Sequence, residues 1–278
     1  MNKEEFFKYY PKRKDDSNKF DNGRLLIIGG SYGMAGACIY NIIGARCVGA
    51  SYIDVYLPDE IYEIVAKNEI SAVYHPEIYK NDDFIKLNAF KKANAICFGS
   101  GLTNLNNKEK YLKLLLENSS VYNIIDAEGL NIISDNNDYL SINNKLILTP
   151  HLGEFSKLTK LSIKEIEENK IDIALNYARR NNVILILKGP HTLVVNNDGK
   201  LYINDSGNSA LARAGSGDLL TGMLTGLVSL YDDPYIASKH AVWLHGYLAD
   251  MGIKEYSKEI FDLKNYPLLA DKFFLNKD

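Results

Sequence analysis

Residues 207–218 read Gly-Asn-Ser-Ala-Leu-Ala-Arg-Ala-Gly-Ser-Gly-Asp and lead directly into an apolar run at residues 219–230. The small residues 214–217 allow the backbone to approach an anion, and a helix that begins there directs unpaired N–H groups and the positive end of its dipole toward that anion. This stretch predicts a phosphate-binding loop. Asp218 lies where the loop becomes a helix, so its carboxylate either caps the first turn or accepts a proton from a substrate hydroxyl.

The rest of the chain alternates apolar runs with helix-like segments. The apolar runs are continuous, which indicates a parallel sheet covered by helices on both faces. Asp-Gly within residues 196–199 predicts a hairpin that adds antiparallel strands at residues 191–195 and 200–203. The sequence therefore predicts an α/β fold, with strands at residues 24–28, 52–57, 95–98, 121–125, 146–148 and 183–187 and helices at residues 36–50, 59–68, 107–117, 163–181, 218–231, 234–251 and 267–275.

Length and composition favour one large domain. The chain has 278 residues, of which 46% are hydrophobic, and this content suffices for a sizeable core. We expect a single domain over residues 1–278. Residues 1–20 form a charged N-terminal lead-in, which we expect to be solvated around Lys12, Arg13 and Lys14.

Charge and hydropathy argue against several classes of partner. The net charge is −3 and the chain has no long run of like charges, which argues against binding to nucleic acids or anionic membranes. The N-terminus lacks the apolar segment of a secretory signal, and no window is long and apolar enough to span a membrane. We therefore expect a cytoplasmic protein.

Cysteines and paired histidines do not indicate a metal site. Cys38, Cys47 and Cys97 lie in apolar surroundings without a Cys-x-x-Cys pair, so we expect core thiols rather than disulfides or a zinc site. His240 and His245 lie five residues apart on a predicted helix, which is not the spacing that places two ligands on one face. We interpret both histidines as structural.

Two glycine-rich clusters follow predicted strands. Residues 29–37 read Gly-Gly-Ser-Tyr-Gly-Met-Ala-Gly-Ala, and residues 99–102 read Gly-Ser-Gly-Leu. The first cluster departs from the Gly-x-Gly-x-x-Gly spacing of a dinucleotide site, so we interpret it as a wall beside a flat, anionic ligand or, alternatively, as a tight strand-to-helix turn. Ligands of open α/β sheets bind beyond the carboxyl ends of the strands, so the two clusters should meet in one cleft.

Charged residues follow three further strands. Asp126 could bind Mg²⁺ through water or simply cap the next turn. His151 is expected to contact a ligand, although a lone histidine is usually structural, and Glu154 is in position to pair with a metal-bound water. Lys188 begins Lys-Gly-Pro-His-Thr at residues 188–192 and offers a cation for a nucleotide phosphate. The alternative there is a turn into the hairpin with Lys188 solvated.

Six motifs occur along the chain in a fixed order. They are Gly-Gly-Ser-x-Gly-Met-x-Gly-Ala at 29–37, Gly-x-Gly-Leu at 99–102, Asp-Ala-x-x-Leu-Asn at 126–131, Leu-Thr-Pro-His-x-Gly-Glu at 148–154, Lys-Gly-x-x-Thr at 188–192, and Gly-Asn-x-x-Leu-Ala-x-Ala-Gly-Ser-Gly-Asp at 207–218. Together they resemble the motifs of one family, the nucleotide-dependent NAD(P)H-hydrate dehydratases of the ribokinase-like superfamily, a carbohydrate-kinase-related branch often fused to an epimerase domain. The first motif and the histidine of Thr-Pro-His-x-Gly-Glu distinguish this branch from related vitamin kinases, which tend to have Asn in place of that histidine.

The resemblance implies a metabolite repair reaction, in which the S form of hydrated NADH or NADPH is dehydrated back to NADH or NADPH. Bacterial members use ADP and form AMP and phosphate, whereas animal and fungal members use ATP, and we expect ADP here. Mg²⁺ is the expected cofactor, and related proteins suggest a homotetramer. The epimerase half is absent from this chain, so the R form would need a separate epimerase or slow spontaneous epimerisation.

The resemblance also implies roles for particular residues. Asp218 would be the catalytic base. The hydrate site would be lined by Ala37, Gly101, His151 and Asp218. The nucleotide would be held by Lys188, Gly189, Pro190, His191, Thr192, Asn208, Gly215, Ser216 and Gly217. Asp126 and Glu154 are the candidate metal ligands.

One residue departs from the family's pattern, and two other functions stay open. Ser100 stands where the family often has Pro in Gly-Pro-Gly, which could loosen that loop without removing its backbone contacts. One alternative is an ATP-dependent kinase for a vitamin or sugar precursor, which would release a stable phosphoester. The other is a nucleotide-sensing protein without activity, which the presence of both Asp218 and Lys188 argues against.

Overall fold

A nine-stranded sheet runs through the computed structural model, which describes residues 1–76 and 82–276. The strand order is β3-β2-β1-β4-β5-β6-β7-β8-β9, parallel from β3 to β7, with β8 and β9 added antiparallel. This confirms the predicted parallel sheet and its hairpin extension. The strands are β1 (Arg24–Ile28), β2 (Tyr52–Tyr56), β3 (Val73–His75), β4 (Ala95–Phe98), β5 (Tyr122–Ile125), β6 (Leu146–Leu148), β7 (Ile184–Leu187), β8 (Leu193–Val195) and β9 (Leu201–Ile203).

Helices cover both faces of the sheet. They are α1 (Lys3–Tyr9), α2 (Ala35–Cys47), α3 (Asp59–Asn68), α4 (Asn88–Lys92), α5 (Lys108–Asn118), α6 (Glu128–Asp135), α7 (Tyr139–Ile142), α8 (Leu152–Thr159), α9 (Ile163–Glu168), α10 (Lys170–Asn181), α11 (Ser216–Leu230), α12 (Pro234–Gly252) and α13 (Tyr266–Leu275). No helix among the described residues is both long and apolar enough to cross a bilayer.

The sheet separates two apolar cores because successive side chains of each strand point to opposite faces. Leu25 and Ile27 of β1 belong to the core that includes residues of α2, α11, α12 and α13. Leu26 and Ile28 belong to the other core, together with residues of α5, α6, α8 and α10. Every residue of β1 is buried, which explains why its sequence is a continuous apolar run after Arg24 and does not alternate between apolar and polar residues.

Helices α2 and α11 pack backbone to backbone. A Cβ at Gly44 would lie 2.2 Å from the carbonyl oxygen of Leu219, and a Cβ at Gly222 would lie 2.1 Å from the carbonyl oxygen of Asn41. Side chains larger than hydrogen therefore cannot occupy these positions without moving the helices apart. This close packing fixes the start of α11, where Asp218 stands, against α2.

The N-terminal lead-in is not merely solvated. Residues 3–9 form α1, and Phe6 is completely buried, with its ring 5.3 Å from that of Phe273 and 5.0 Å from that of His240. Residues 12–14 are exposed, as expected. Two aromatic residues at positions 6 and 7 supply enough apolar surface to dock this helix, which an interpretation based on charge overlooks.

The predicted helix at residues 163–181 consists of two helices, α9 and α10, which meet at Asn169. The short helices α1, α4, α6, α7 and α8 and the three-residue strand β3 are absent from the sequence-based prediction because they are too brief to show a clear period. The buried cysteines Cys38, Cys47 and Cys97 are free thiols in the core, as predicted.

Candidate active site

The loops that follow β1 and β4 interlock at the carboxyl edge of the sheet. The N–H of Gly30 donates to the carbonyl oxygen of Ser100 at 2.8 Å, and the hydroxyl of Ser31 donates to the carbonyl oxygen of Gly101 at 2.7 Å. Gly101 has a φ of +69°, and a Cβ there would lie 2.8 Å from the Cβ of Ala37. The two glycine clusters therefore form one wall, in which the predicted substrate-site residues Ala37 and Gly101 are neighbours.

The predicted phosphate-binding loop forms the N-terminus of α11. Gly215 precedes the helix with a φ of +89°, a left-handed conformation that favours glycine, and a Cβ there would meet the ring of Tyr40 at 2.4 Å. The helix begins at Ser216, and no side chain caps it. The Ser216 N–H donates to the carbonyl oxygen of Arg213 at 3.3 Å, so the N–H groups of Gly217 and Asp218 are the ones that can face an anion. Asp218 lies within that same turn.

The environment of Asp218 raises its pKa to about 6. Burial is the largest cause and the negative charge of Asp126 adds to it, whereas the positive charge of Lys188 opposes both. A carboxylate with this pKa is mostly ionised at neutral pH and is a stronger base than an ordinary aspartate. Asn41 fixes the backbone here, because its Nδ2 donates to the carbonyl oxygen of Asp218 at 2.6 Å.

A buried network surrounds the Asp126 carboxylate. Its Oδ1 lies 2.7 Å from Lys188 Nζ and accepts a hydrogen bond from the hydroxyl of Thr149 at 2.8 Å, while its Oδ2 accepts from the hydroxyl of Thr221 at 2.9 Å. Burial alone would raise the pKa of Asp126, but Lys188 and the two hydroxyls hold it below its ordinary value. Asp126 is therefore a permanent negative charge beside Asp218.

Lys188 is charged and lies next to the phosphate-binding loop. Burial would lower its pKa, but Asp126 and Glu154 outweigh burial and raise it. A Cβ at Gly217 would lie 3.6 Å from Lys188 Nζ, so the ammonium group borders the N-terminus of α11. The side chain is 18% exposed, which excludes the alternative in which Lys188 is solvated. This arrangement can stabilise negative charge on a phosphoryl group.

Magnesium binding fits the candidate ligands only in part. Both carboxylate oxygens of Asp126 already accept hydrogen bonds, and one of them anchors Lys188. Glu154 Oε2 likewise accepts from the His151 N–H at 2.8 Å. Across residues 1–76 and 82–276, no group of three or more His, Cys, Asp or Glu side chains is arranged to hold a metal ion. Proteins often bind Mg²⁺ through one or two carboxylates together with the phosphates of a substrate, so the role of Asp126 and Glu154 as metal ligands stays a prediction.

His151 caps α8, which supports its structural interpretation. Its Nδ1 accepts hydrogen bonds from the N–H groups of Gly153 at 3.0 Å and Glu154 at 3.2 Å, and Glu154 Oε2 accepts from the His151 N–H at 2.8 Å. The side chain is nevertheless 61% exposed. In the neutral ring the hydrogen is on Nε2, so His151 can also offer a donor to a ligand at the edge of the cleft.

The segment after Lys188 forms a turn that leads into the hairpin, which was the alternative interpretation of residues 188–192. The Thr192 hydroxyl donates to the carbonyl oxygen of Gly189 at 2.9 Å and accepts from its N–H at 3.3 Å. The Thr192 hydroxyl therefore closes the turn, and the contact of Thr192 with the nucleotide stays a prediction. Pro190 and His191 are exposed, and a Cβ at Gly189 would meet no atom within 4 Å, so the turn borders open space.

The side chain of Asn208 is likewise engaged within the protein. Its Nδ2 donates to Asp250 Oδ1 at 2.8 Å, and its Oδ1 accepts from the N–H of Ala210 at 3.0 Å. Asp250 also accepts from the N–H of Gly207 at 2.8 Å. Asn208 therefore shapes the chain that leads to the phosphate-binding loop, and its contact with the nucleotide stays a prediction.

Sequence reasoning missed the contribution of three residues to this site. Thr149 and Thr221 bind Asp126, and Tyr40 packs on Gly215. His245, which the sequence predicts to be structural, places its Nε2 3.5 Å from the hydroxyl of Ser216. The position of Thr221, one helical turn after Asp218, is a usable signal, because residues three apart share a face. Burial lowers the pKa of His245 to about 4, so it stays neutral, in keeping with the predicted structural role.

Comparisons with known proteins agree with this geometry. The family model described as NAD(P)H-hydrate dehydratase matches residues 25–264. The ADP-dependent (S)-NAD(P)H-hydrate dehydratase of Bacillus subtilis is 30% identical to this chain over 247 residues, which are 89% of this chain and 87% of that protein. The chain spans about half the length of the bifunctional NAD(P)H-hydrate repair enzymes that it also matches.

Solved structures share the fold. The ADP/ATP-dependent NAD(P)H-hydrate dehydratase of Bacillus subtilis, co-crystallised with ATP and Mg²⁺, superposes with a TM-score of 0.85 at 25% identity and covers 100% of this chain and 98% of that one. A ribokinase-like superfamily protein of Enterococcus faecalis gives a TM-score of 0.84 at 23% identity, covering 98% and 95%. The predicted ribokinase-like α/β fold is thereby confirmed, and the chain belongs to the NAD(P)H-hydrate dehydratase family.

Proposed function

We propose that this protein is an ADP-dependent dehydratase of the S form of hydrated NADH or NADPH, a carbon–oxygen lyase that repairs the damaged cofactor. The observation that carries the proposal is the position of Asp218, a carboxylate with a pKa of about 6 in the first turn of an uncapped helix. A base and an anion site thus occupy the same helical turn. Phosphoryl transfer to a hydroxyl requires this pairing.

The chemistry begins with transfer of a phosphoryl group. The ring hydroxyl of the hydrate attacks the terminal phosphoryl group of ADP, Asp218 takes the hydroxyl proton, and AMP leaves. The N–H groups at the start of α11 and the ammonium group of Lys188 stabilise the charge on the phosphoryl oxygens. The immediate product is a phosphate ester of the hydrate.

The ester then decomposes. The lone pair of the ring nitrogen expels phosphate, and loss of a proton from the neighbouring carbon restores the ring double bond. Phosphate leaves far more readily than hydroxide, so ADP supplies the driving force for loss of water. Asp218 acts in the first step. Ala37, Gly101 and the exposed ring of His151 line the side of the cleft where we place the hydrate.

In this proposal the nucleotide lies on the side of Asp218 opposite the hydrate, along Lys188, Gly189 and the loop at residues 215–217. The contacts of Pro190, His191 and Thr192 with the nucleotide are made by the backbone, because the hydroxyl of Thr192 already bonds Gly189. Mg²⁺ neutralises nucleotide phosphates when bound, and Glu154 would hold it through water. No step of the proton transfer depends on it.

Four further features belong to the proposal. The protein works in the cytoplasm, assembles as a homotetramer, binds neither nucleic acid nor membrane, and depends on a separate epimerase for the R form of the hydrate. A net charge of −3 supports the third feature. The name of the Bacillus subtilis relative supports the S specificity and the use of ADP.

A coupled measurement tests the function. The purified protein is incubated with the S form of hydrated NADH and either ADP or ATP, and recovery of the NADH absorbance is followed together with inorganic phosphate. We expect one phosphate released for each NADH recovered, with ADP the better nucleotide. A stable phosphoester without NADH would indicate a small-molecule kinase, and nucleotide binding without turnover would indicate a sensor.

A further inference from the structure

The hydroxyl of Ser100 is a buried polar group without a hydrogen bond. Ser100 is 2% exposed, and its Oγ has no partner within residues 1–76 and 82–276. Leaving a buried hydroxyl unpaired destabilises a fold, so such groups are rare and usually have a function. Ser100 lies at the carboxyl edge of the sheet, in the wall that also contains Gly101.

The backbone holds Ser100 in one position. Its carbonyl oxygen accepts from the N–H of Gly30 at 2.8 Å, and the flanking residues Gly99 and Gly101 have φ values of +124° and +69°. A Cβ at Gly99 would lie 1.9 Å from the carbonyl oxygen of Asp126, so this loop rests directly on the segment after β5. Backbone contacts therefore hold this loop on both sides. They fix the position of the Ser100 hydroxyl, although the hydroxyl itself makes no hydrogen bond.

The group that the Ser100 hydroxyl faces is the Asp218 carboxylate. The Ser100 hydroxyl lies close enough to Asp218 to lower its pKa and so to counteract part of the rise, although the two side chains do not meet the geometry of a hydrogen bond. A hydrogen bond from a hydroxyl to an ionised carboxylate is stronger than one between neutral groups, so ionisation of Asp218 favours formation of this bond.

We propose that Ser100 is a positioning residue, whose hydroxyl donates a hydrogen bond to the ionised Asp218 carboxylate and orients it toward the substrate hydroxyl. The effect on turnover rests on the proposed function, whereas the contact itself does not. The Ser100 hydroxyl would raise the ionised fraction of Asp218, whereas burial and the charge of Asp126 favour its protonated form.

Four other titratable groups near Asp218 do not titrate near neutral pH. Asp126 and Lys188 face it from the segments after β5 and β7, and their pKa values are lowered and raised, respectively. Tyr40 and Cys38 face it from α2, and burial raises the pKa of both, so they stay neutral. A change in the titration of Asp218 after substitution of Ser100 is therefore attributable to the lost hydroxyl.

The experiment compares three variants of the full chain. Ser100→Ala removes the hydroxyl, Ser100→Thr retains it, and Ser31→Ala removes a hydroxyl that bonds the same loop at the carbonyl oxygen of Gly101. The pKa of Asp218 is measured without nucleotide by carbon-13 NMR of aspartate-labelled protein, with Asp218→Asn identifying the resonance. The pH profile of kcat is recorded in parallel.

In Ser100→Ala we expect the pKa of Asp218 to rise by about one unit. Turnover should then fall roughly five-fold at pH 6 and converge with the unmodified protein above about pH 8. Ser100→Thr should restore the original titration, and Ser31→Ala should leave it unchanged. An unchanged pKa in Ser100→Ala, or an equal shift in Ser31→Ala, would overturn the proposal.

The two readouts separate this inference from the proposed function. The NMR titration reports the contact between Ser100 and Asp218 whether or not hydrated NADH is a substrate. A shifted titration in a protein that never recovers NADH would support the contact and contradict the dehydratase function. An unshifted titration in an enzyme that recovers NADH would contradict the contact and support the dehydratase function.

Discussion

Lys188 Nζ lies 2.7 Å from Asp126 Oδ1, and this buried ion pair borders the helical turn that carries Asp218. The two charges act on Asp218 in opposite directions, because Asp126 raises its pKa and Lys188 lowers it. The pair thus supplies a cation for the phosphoryl group while leaving the aspartate basic. The following predictions test this division of roles.

Substitution Asp218→Asn should remove the base and leave the anion site intact. Because a positioned base contributes about 10² to 10⁴ in rate, we expect kcat to fall by that factor. The N–H groups at the start of α11 are unaffected, so the dissociation constant for ADP, measured by calorimetry, should change little. Weak ADP binding with normal turnover would contradict the assigned role.

The same substitution should stabilise the fold. The pKa of Asp218 is about 6, above the value of an unfolded chain, so the folded protein loses stability as pH rises from about 4 to about 6. Asp218→Asn avoids this loss, and we expect its free energy of unfolding at pH 7 to exceed that of the unmodified protein by about 1–3 kcal/mol. Urea denaturation measures the difference.

The gain in stability should depend on pH. Below about pH 4 Asp218 is protonated in both states, so the advantage of Asp218→Asn should vanish there. Asp271→Asn, on the exposed face of α13, is the matched control and should change stability by less than about 0.5 kcal/mol. An advantage that is equal at pH 4 and pH 7 would show that the pKa of Asp218 is not raised.

Asp126→Asn should move the acid limb of the kcat profile to lower pH. The profile of the unmodified enzyme should fall below about pH 6, where Asp218 becomes protonated. Loss of the Asp126 charge removes one cause of the raised pKa, so activity should persist at lower pH relative to its maximum. An acid limb that moves to higher pH would contradict the electrostatic account.

Asp126→Asn should also destabilise the fold, because it leaves Lys188 without its buried partner. We expect a loss of roughly 2–4 kcal/mol in the free energy of unfolding. Glu255→Gln breaks the exposed pair with Lys272 and serves as the control, with an expected change below about 1 kcal/mol. Equal losses of unfolding free energy in the two variants would mean that the buried pair stabilises the fold no more than the exposed pair does.

Gly222→Ala should disrupt the packing of α11 on α2. The added Cβ would lie 2.1 Å from the carbonyl oxygen of Asn41, so the helices must separate, and we expect a loss of several kcal/mol, about 3 or more. Gly36→Ala in α2 meets no atom within 4 Å and should be neutral or gain up to about 1 kcal/mol. Thermal unfolding of both variants checks the contrast.

The strands were predictable because buried parallel strands appear as short apolar runs. The bounds of β1, β4 and β6 agree with prediction to the residue. The phosphate-binding loop was predictable for a similar reason, since Gly215 adopts a positive φ, a conformation that favours glycine. These features depend on local sequence.

The polar network was not predictable from spacing. Asp126 is bound by side chains from positions 149, 188 and 221, which only the topology of the sheet brings together. The local hydrogen bonds of two polar loop residues were not predictable for the opposite reason. Thr192 and Asn208 satisfy nearby backbone groups, a local use that a motif does not distinguish from ligand binding.

The central claim is that the hydroxyl of the hydrate leaves as part of a phosphate group after Asp218 has activated it. The most direct test uses hydrated NADH with oxygen-18 in that hydroxyl, together with unlabelled ADP and water. Phosphorus NMR of the inorganic phosphate detects the label as an isotope shift. The account predicts that the released phosphate carries the label. Label recovered in water, with unlabelled phosphate, would contradict it.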